Sequence, residues 1–156
     1  MKKKFLLLFL TLIIFSACGF KIVNLNELRN FEIEELVSSG DKRINYLIKN
    51  ELFIKKNKSF NKKIKVSLNT KKTKEIKEKN IQNEITKYEI NIFVDVKFNI
   101  LQGDISNDFT IIKSGIYDVS KKHSETLNNE KKLIKIISKS ISENIIENLI
   151  LKLNEL

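Results

Sequence analysis

The clearest signal in this chain is a run of alternating residues between positions 88 and 100. Tyr88, Ile90, Ile92, Val94, Val96, Phe98 and Ile100 alternate with Glu89, Asn91, Asp95, Lys97 and Asn99. A period of two puts the first set on one face of a strand and the second on the other. The pattern therefore predicts a half-buried strand of roughly 40 Å at ~3.3 Å per residue. Phe93 is the one apolar residue on its polar face. A shorter version of the pattern sets Ile64, Val66 and Leu68 against Lys63, Lys65, Ser67 and Asn69. Phe31 to Leu36 alternates at first, as a short strand does, and Phe109 to Val119 reads as a strand returning from a turn at Gln102-Gly103-Asp104.

Two segments have the helical period instead. Ser38-Ser39-Gly40-Asp41 is a turn and capping cluster. After it, Ile44, Leu47, Ile48 and Leu52 fall on one helical face that ends near Phe53 or Ile54, with Tyr46 and Asn50 elsewhere. From about Ser124, Leu127, Ile134, Ile137, Ile141, Ile145 and Leu149 form a long stripe, widened by Leu133, Ile146 and Leu153. Isoleucine is not an ideal helix former, so this helix must draw its stability from packing. Residues 70–84 are highly charged and either extend the second strand past the body of the sheet or form a hairpin tip.

The order is strand, helix, three strands, helix. The economical way to bury these faces is an α+β two-layer sandwich. It has about four strands, mostly antiparallel or mixed, with two helices packed on one face. There is no internal repeat, and Lys55 to Lys63 reads as a basic loop.

The amino terminus changes this picture from a domain to an anchored domain. Met1-Lys2-Lys3-Lys4 precedes an apolar run from Phe5 to Phe15, broken only by Thr11, and then Ser16-Ala17-Cys18-Gly19. That is the layout of a secretory signal, too short to span a bilayer comfortably. Phe15-Ser16-Ala17-Cys18 resembles a lipobox, with Phe15 where leucine is usual. It implies cleavage after residue 17 and lipid on Cys18, with residues 18–30 as a tether or an initial short strand and residues 31–156 as the domain. Two or more acyl chains, as on a triacylated cysteine, make a lasting anchor. Gly19, rather than aspartate, favours the outer membrane. Cys18 is the chain's single cysteine, so no intrachain disulfide forms.

The formal net charge is +10, and the three leader lysines account for three of these, leaving about +7 on the mature side chains. Such a balance fits an anionic lipid or glycolipid partner, and the secretory route argues against nucleic acid. The same lysines have a plainer source. The sequence is rich in Lys, Ile and Asn, has two arginines, and lacks Pro and Trp, a pattern typical of AT-rich coding. The lysines cluster at 55–63, 71–79 and 121–122.

Candidate chemistry is sparse. His123 is the chain's one histidine and falls in an expected loop beside Lys122. No Cys/His pair suits structural zinc after Cys18, no glycine pattern marks a nucleophile elbow, and Gly103 and Gly115 are isolated. Asp104, Asp108 and Asp118 read as turn and surface residues. The expectation is a non-catalytic protein without cofactor or metal.

Five segments in order resemble the LPS-assembly lipoprotein (LptE) family. They are Cys18-Gly19-Phe20-Lys21-Ile22, the helix after Gly40-Asp41, Thr86-Lys87-Tyr88-Glu89-Ile90, Gly115-Ile116-Tyr117-Asp118-Val119 and Thr126-Leu127-Asn128-Asn129-Glu130. The resemblance spans nearly the whole mature chain. It implies a small sheet with two helices, lodged as a plug in the large outer-membrane β-barrel of the lipopolysaccharide translocon. It also implies a role in assembling that barrel, and contact with lipopolysaccharide through basic residues. The family's basic residue ahead of the long strand has its nearest counterpart in Lys79, with Ile81 closer in register. The one on the following strand has its nearest counterpart in Lys113. The resemblance thus makes Lys79 and Lys113 the candidate ligand-binding residues, on the periplasmic side of the outer membrane. The rival expectation is a generic lipid-anchored envelope protein that holds an anionic polymer or lipid on its lysine-rich face.

Overall fold

The computed structural model describes residues 30–53, 62–101 and 105–155. The leader, Cys18, the tether, most of the 55–63 loop and the 102–104 turn lie outside the described residues. The elements run β1 (Phe31–Gly40), α1 (Lys42–Phe53), β2 (Lys62–Lys79), β3 (Ile85–Ile100), β4 (Ser106–Asp118) and α2 (His123–Asn154). The strands form one sheet in the order β1-β2-β3-β4. β1 pairs parallel with β2, and the other two pairings are antiparallel. The expected α+β sandwich is the observed one, with a mixed, open sheet.

The period-two segments produce the core directly. Ile90, Ile92, Val94, Val96 and Phe98 of β3 are fully buried. They are joined by Ile64, Val66 and Leu68 of β2, Phe31 and Ile33 of β1, and Ile111 and Tyr117 of β4. Both helices cover this face and pack on each other. α1 contributes Ile44, Ile48 and Leu52, as its stripe predicts. Phe93 points the other way. It lies opposite Ile112 of β4, which is 59% exposed, on the open face of the sheet.

Three expectations need correction, and one open alternative is decided. β1 continues past Leu36 to Gly40, because its parallel ladder with β2 carries through to the Gly40–Thr70 pairing. The capping cluster therefore marks the end of a strand as well as a helix start. Of the two readings of residues 70–84, strand extension is the one observed as far as Lys79, with a tight turn over residues 80–84. In that turn Asn80 Oδ1 accepts from the backbone N–H groups of Gln82 and Glu84, and Asn83 takes a left-handed φ of 63°. Leu127 is 41% exposed, whereas neighbouring Thr126 is buried. The first turns of α2 face a polar cluster at the end of the core, so the stripe begins at Ile134. Later the buried face widens through Ser142, Ile146 and Ile150, in the part of α2 that passes α1. Finally, His123 is the exposed first residue of α2 and not a loop residue.

The corner between β1 and α1 depends on one glycine. Gly40 has φ +88°, and a Cβ there would lie 1.9 Å from the carbonyl oxygen of Thr70. The next N–H, that of Asp41, donates to that same oxygen at 3.1 Å. Asp41 then caps α1, its Oδ1 accepting from the N–H groups of Arg43 and Ile44 at 3.0 Å each. Thr70 donates its hydroxyl to Asn45 at 3.0 Å, and the Asn45 amide donates to the Ser39 carbonyl at 2.9 Å. Gly40→Ala adds left-handed strain and a backbone clash together. It is expected to cost more than about 2 kcal/mol, read as a lower urea midpoint with an unchanged slope.

Candidate functional site

Past the hydrophobic core, the helix-facing side of the sheet turns polar. Lys72 and Lys74 of β2, Tyr88 of β3 and Tyr117 of β4 sit there because their strand positions continue the buried alternation. Tyr88 and Tyr117 are direct cross-strand partners, with ring centroids 5.7 Å apart in a stacked arrangement. Lys74 Nζ lies 4.2 Å from the Tyr88 ring centre and 5.3 Å from that of Tyr117. Glu130 reaches down from α2. Its Oε2 accepts from Lys74 at 2.8 Å and from the Tyr117 hydroxyl at 2.9 Å. Lys72 lies between Glu130 and Asp41, at 4.0 and 3.9 Å. One network thus joins the α1 cap, three strands and α2.

The charges in this cluster hold each other. Burial works against ionisation of Glu130, but the hydrogen bonds from Lys74 and Tyr117, with the lysine charges, outweigh it and hold its pKa below the usual carboxylate value. Burial also works against the Lys74 charge, and Glu130 and Tyr117 outweigh it, so the ammonium sits above its usual value. The Tyr117 hydroxyl is pushed up, first by burial and then by its bond to Glu130. The arrangement fixes a cation between two aromatic rings and clamps α2 to the sheet.

Lys79 and Lys113 are not brought together. Lys79 pairs with Ile85 at the far end of β2, and its ammonium donates to Asn83 Oδ1 at 3.0 Å across the hairpin turn. Lys113 pairs with Ile92, seven residues further along β3, or about 23 Å at ~3.3 Å per residue. It faces the helix side and is half-buried. Its ammonium lies 3.2 Å from the Asn144 side chain of α2, in the amide orientation that also bonds the Ser140 carbonyl.

The wider lysine clusters tell a similar story. The 71–79 and 121–122 clusters do lie at one end of the sheet, where Lys87 pairs with Asp118. Most of their ammonium groups are already engaged. Lys72 and Lys74 meet Glu130, Lys77 meets Glu89 at 3.2 Å, and Lys122 meets Glu125 at 3.4 Å. Lys87 meets Glu78 at 2.6 Å, a bond that lowers the Glu78 pKa and raises that of Lys87. Past Thr70, β2 has outrun β1 and is an edge strand, where lysines discourage pairing with another chain.

Two shallow open clefts run along β1 and α1 instead. One is lined by Glu34, Glu35, Leu36, Lys49, Asn50 and Phe53, the other by Ser38 to Gly40, Lys42, Asn45, Tyr46 and Lys49. Among the described residues no cluster of His, Cys, Asp and Glu is placed to hold a metal, and no helix is long and apolar enough to cross a membrane.

The fold is shared with lipoproteins of known structure. Rare lipoprotein B from Shewanella oneidensis superposes with a TM-score of 0.60 at 15% identity, over 78% of this chain and 98% of that one. A structure described as a lipoprotein from Caulobacter crescentus CB15 superposes at 0.57 and 13% identity, over 84% and 95%. At these identities the likeness is one of fold. No family model matches the sequence, and no curated protein matches it.

The Glu130 cluster is absent from the sequence reading. Tyr88 was placed on the apolar face and Tyr117 inside a motif, but their stacking depends on a register that appears only when β3 and β4 are paired. The pH dependence follows from the signs. A carboxyl whose pKa is lower in the folded chain stabilises the fold above its unfolded pKa, and that gain is lost as pH falls through the folded value. Lys74 gives the mirror case, with a gain below its unfolded pKa that is lost as pH rises through the folded value. Glu130→Gln is expected to cost about 1 kcal/mol at neutral pH and to flatten the acid limb of a urea-midpoint titration.

Proposed function

We propose that this chain is a non-catalytic outer-membrane lipoprotein, anchored through Cys18 on the periplasmic side. It plugs and helps assemble the β-barrel of the lipopolysaccharide translocon, and assists insertion of lipopolysaccharide into the outer membrane. The observation that carries this reading is the shared fold. Nearly the whole of rare lipoprotein B superposes on this domain, and that protein is a lipoprotein by name. The lipobox-like residues ending in Cys18 supply the same anchoring chemistry here, and the five motifs resembling the LPS-assembly lipoprotein family supply the partner.

The open face of the sheet suits such a partner. It presents Ser67, Asn69, Asn91, Asp95, Lys97 and Thr110, with Val37, Phe93, Ile112 and Ile116 as its apolar positions. A barrel lumen is polar, so a largely polar, flat surface is compatible with it. The resemblance also offers Lys79 and Lys113 as lipopolysaccharide contacts. Of the two, Lys79 is exposed and bonds across its own hairpin turn, whereas Lys113 is half-buried beside Asn144 of α2.

Affinity purification of the tagged chain from outer membranes tests the proposal. A single large β-barrel protein is expected to co-purify, and its steady-state amount is expected to fall when this chain is depleted. Recovery of the lipoprotein without any barrel, together with unchanged barrel abundance, contradicts the reading. Salt-sensitive recovery with an anionic envelope polymer in place of a barrel favours the generic lipoprotein instead.

A further inference from the structure

Four lysines on α2 have no counterpart to the pairing seen on the strands. Lys131, Lys132, Lys135 and Lys139 are all exposed. At about 100° per residue they fall within an arc of roughly 100°, opposite the buried Ile134, Ile137 and Ile141. Lys131, Lys135 and Lys139 form a row at i, i+4 and i+8 over about 12 Å. None of the four is within ion-pair distance of a carboxylate among the described residues, whereas Lys63, Lys65, Lys72, Lys74, Lys77 and Lys87 all are. Like charges spaced four apart on a helix repel one another. The row is therefore a self-repelling feature that no ion pair among the described residues compensates.

We propose that this face of α2 docks on an anionic phospholipid surface. The shape decides against a small ligand. The row is on the convex outside of a helix, while the two clefts described above lie along β1 and α1. A convex row of charges meets a flat or yielding surface best. Lysine suits phosphate headgroups because its ammonium is a flexible point charge on an apolar stem. The apolar part of the contact is present as well. Ile136 is 66% exposed at one margin of the arc, and Leu127 is exposed at the other. A basic face bearing exposed aliphatic side chains is the composition of helices that lie in the headgroup region. Between Lys139 and Leu151 the exposed positions of the same helix are Glu143 and Glu147. The contact is thus confined to the first half of α2, with the acidic half tilted away from the bilayer. The contact uses the helix side of the domain, opposite the open face of the sheet offered to a barrel.

Amine footprinting of the full chain reconstituted in vesicles tests it. Acetylation is followed by mass spectrometry in phosphatidylcholine alone and in phosphatidylcholine doped with phosphatidylglycerol. Lys131, Lys132, Lys135 and Lys139 are expected to react several-fold more slowly in the anionic vesicles, and to recover at high salt. Lys71 and Lys97, on the open face of the sheet, are expected to keep their rates. In a Lys135→Glu/Lys139→Glu chain, Lys131 and Lys132 are expected to lose their protection. Equal rates in both vesicles, or equal protection of Lys71 and Lys97, overturns the proposal. So does equal protection by inorganic phosphate on phosphatidylcholine vesicles, which identifies a site for free anions and not a membrane contact.

Discussion

The whole structure depends on β3 keeping its register with a neighbour on each side. Five consecutive same-face residues of that strand, Ile90 to Phe98, are completely buried, and both helices rest on the face they create. A slip of one residue against β2 or β4 moves all five to the solvent side, so register is strongly specified. Where β1 stops, beside the middle of this ladder, the protein uses other chemistry. Gly40 and a buried Thr70–Asn45 hydrogen bond set the β1–α1 corner, and the Glu130 network follows directly along β2 and holds α2. Each device fixes a helix relative to the sheet where packing alone gives less direction.

Most of this fold was legible in the residue pattern. The alternation in β3 and the 3.6-residue stripe of α1 are strong local signals, and the element order follows from them. The parallel pairing of β1 was not legible, because it is a long-range contact carried by backbone groups. The extra length of β2 was hidden for a different reason. Lys71 to Lys79 has few apolar residues, so no burial pattern marks it as a strand, and it is held by its ladder with β3. Leu127 was misassigned because a helix that crosses from a polar cluster to an apolar core does not present one constant face.

The candidate site was legible only in outline. Sequence clusters at 71–79 and 121–122 drew attention to lysines that the fold mostly neutralises or places on an edge. The row at 131–139 is marked in the sequence by its isoleucines, Ile134 and Ile137, whose helical period is a stronger signal than the lysines between them. The difference matters for function. A lysine held by a glutamate, as Lys74 is, contributes to stability, whereas an exposed lysine without a partner is available to a phosphate. Composition alone cannot separate these two roles, since both raise the net charge equally. Lys79 and Lys113, about 23 Å apart along the sheet, do not form one anion pocket.

The proposed role requires that the domain sit inside a barrel partner, with the sheet's open face toward it. Photo-crosslinking in intact cells tests that claim most directly. A photoreactive residue at Ile112 or Phe93, on the open face, is predicted to give one adduct with a large outer-membrane β-barrel protein. The same residue placed at buried Ile141 is predicted to give none. Absence of any barrel adduct from both open-face positions contradicts the claim.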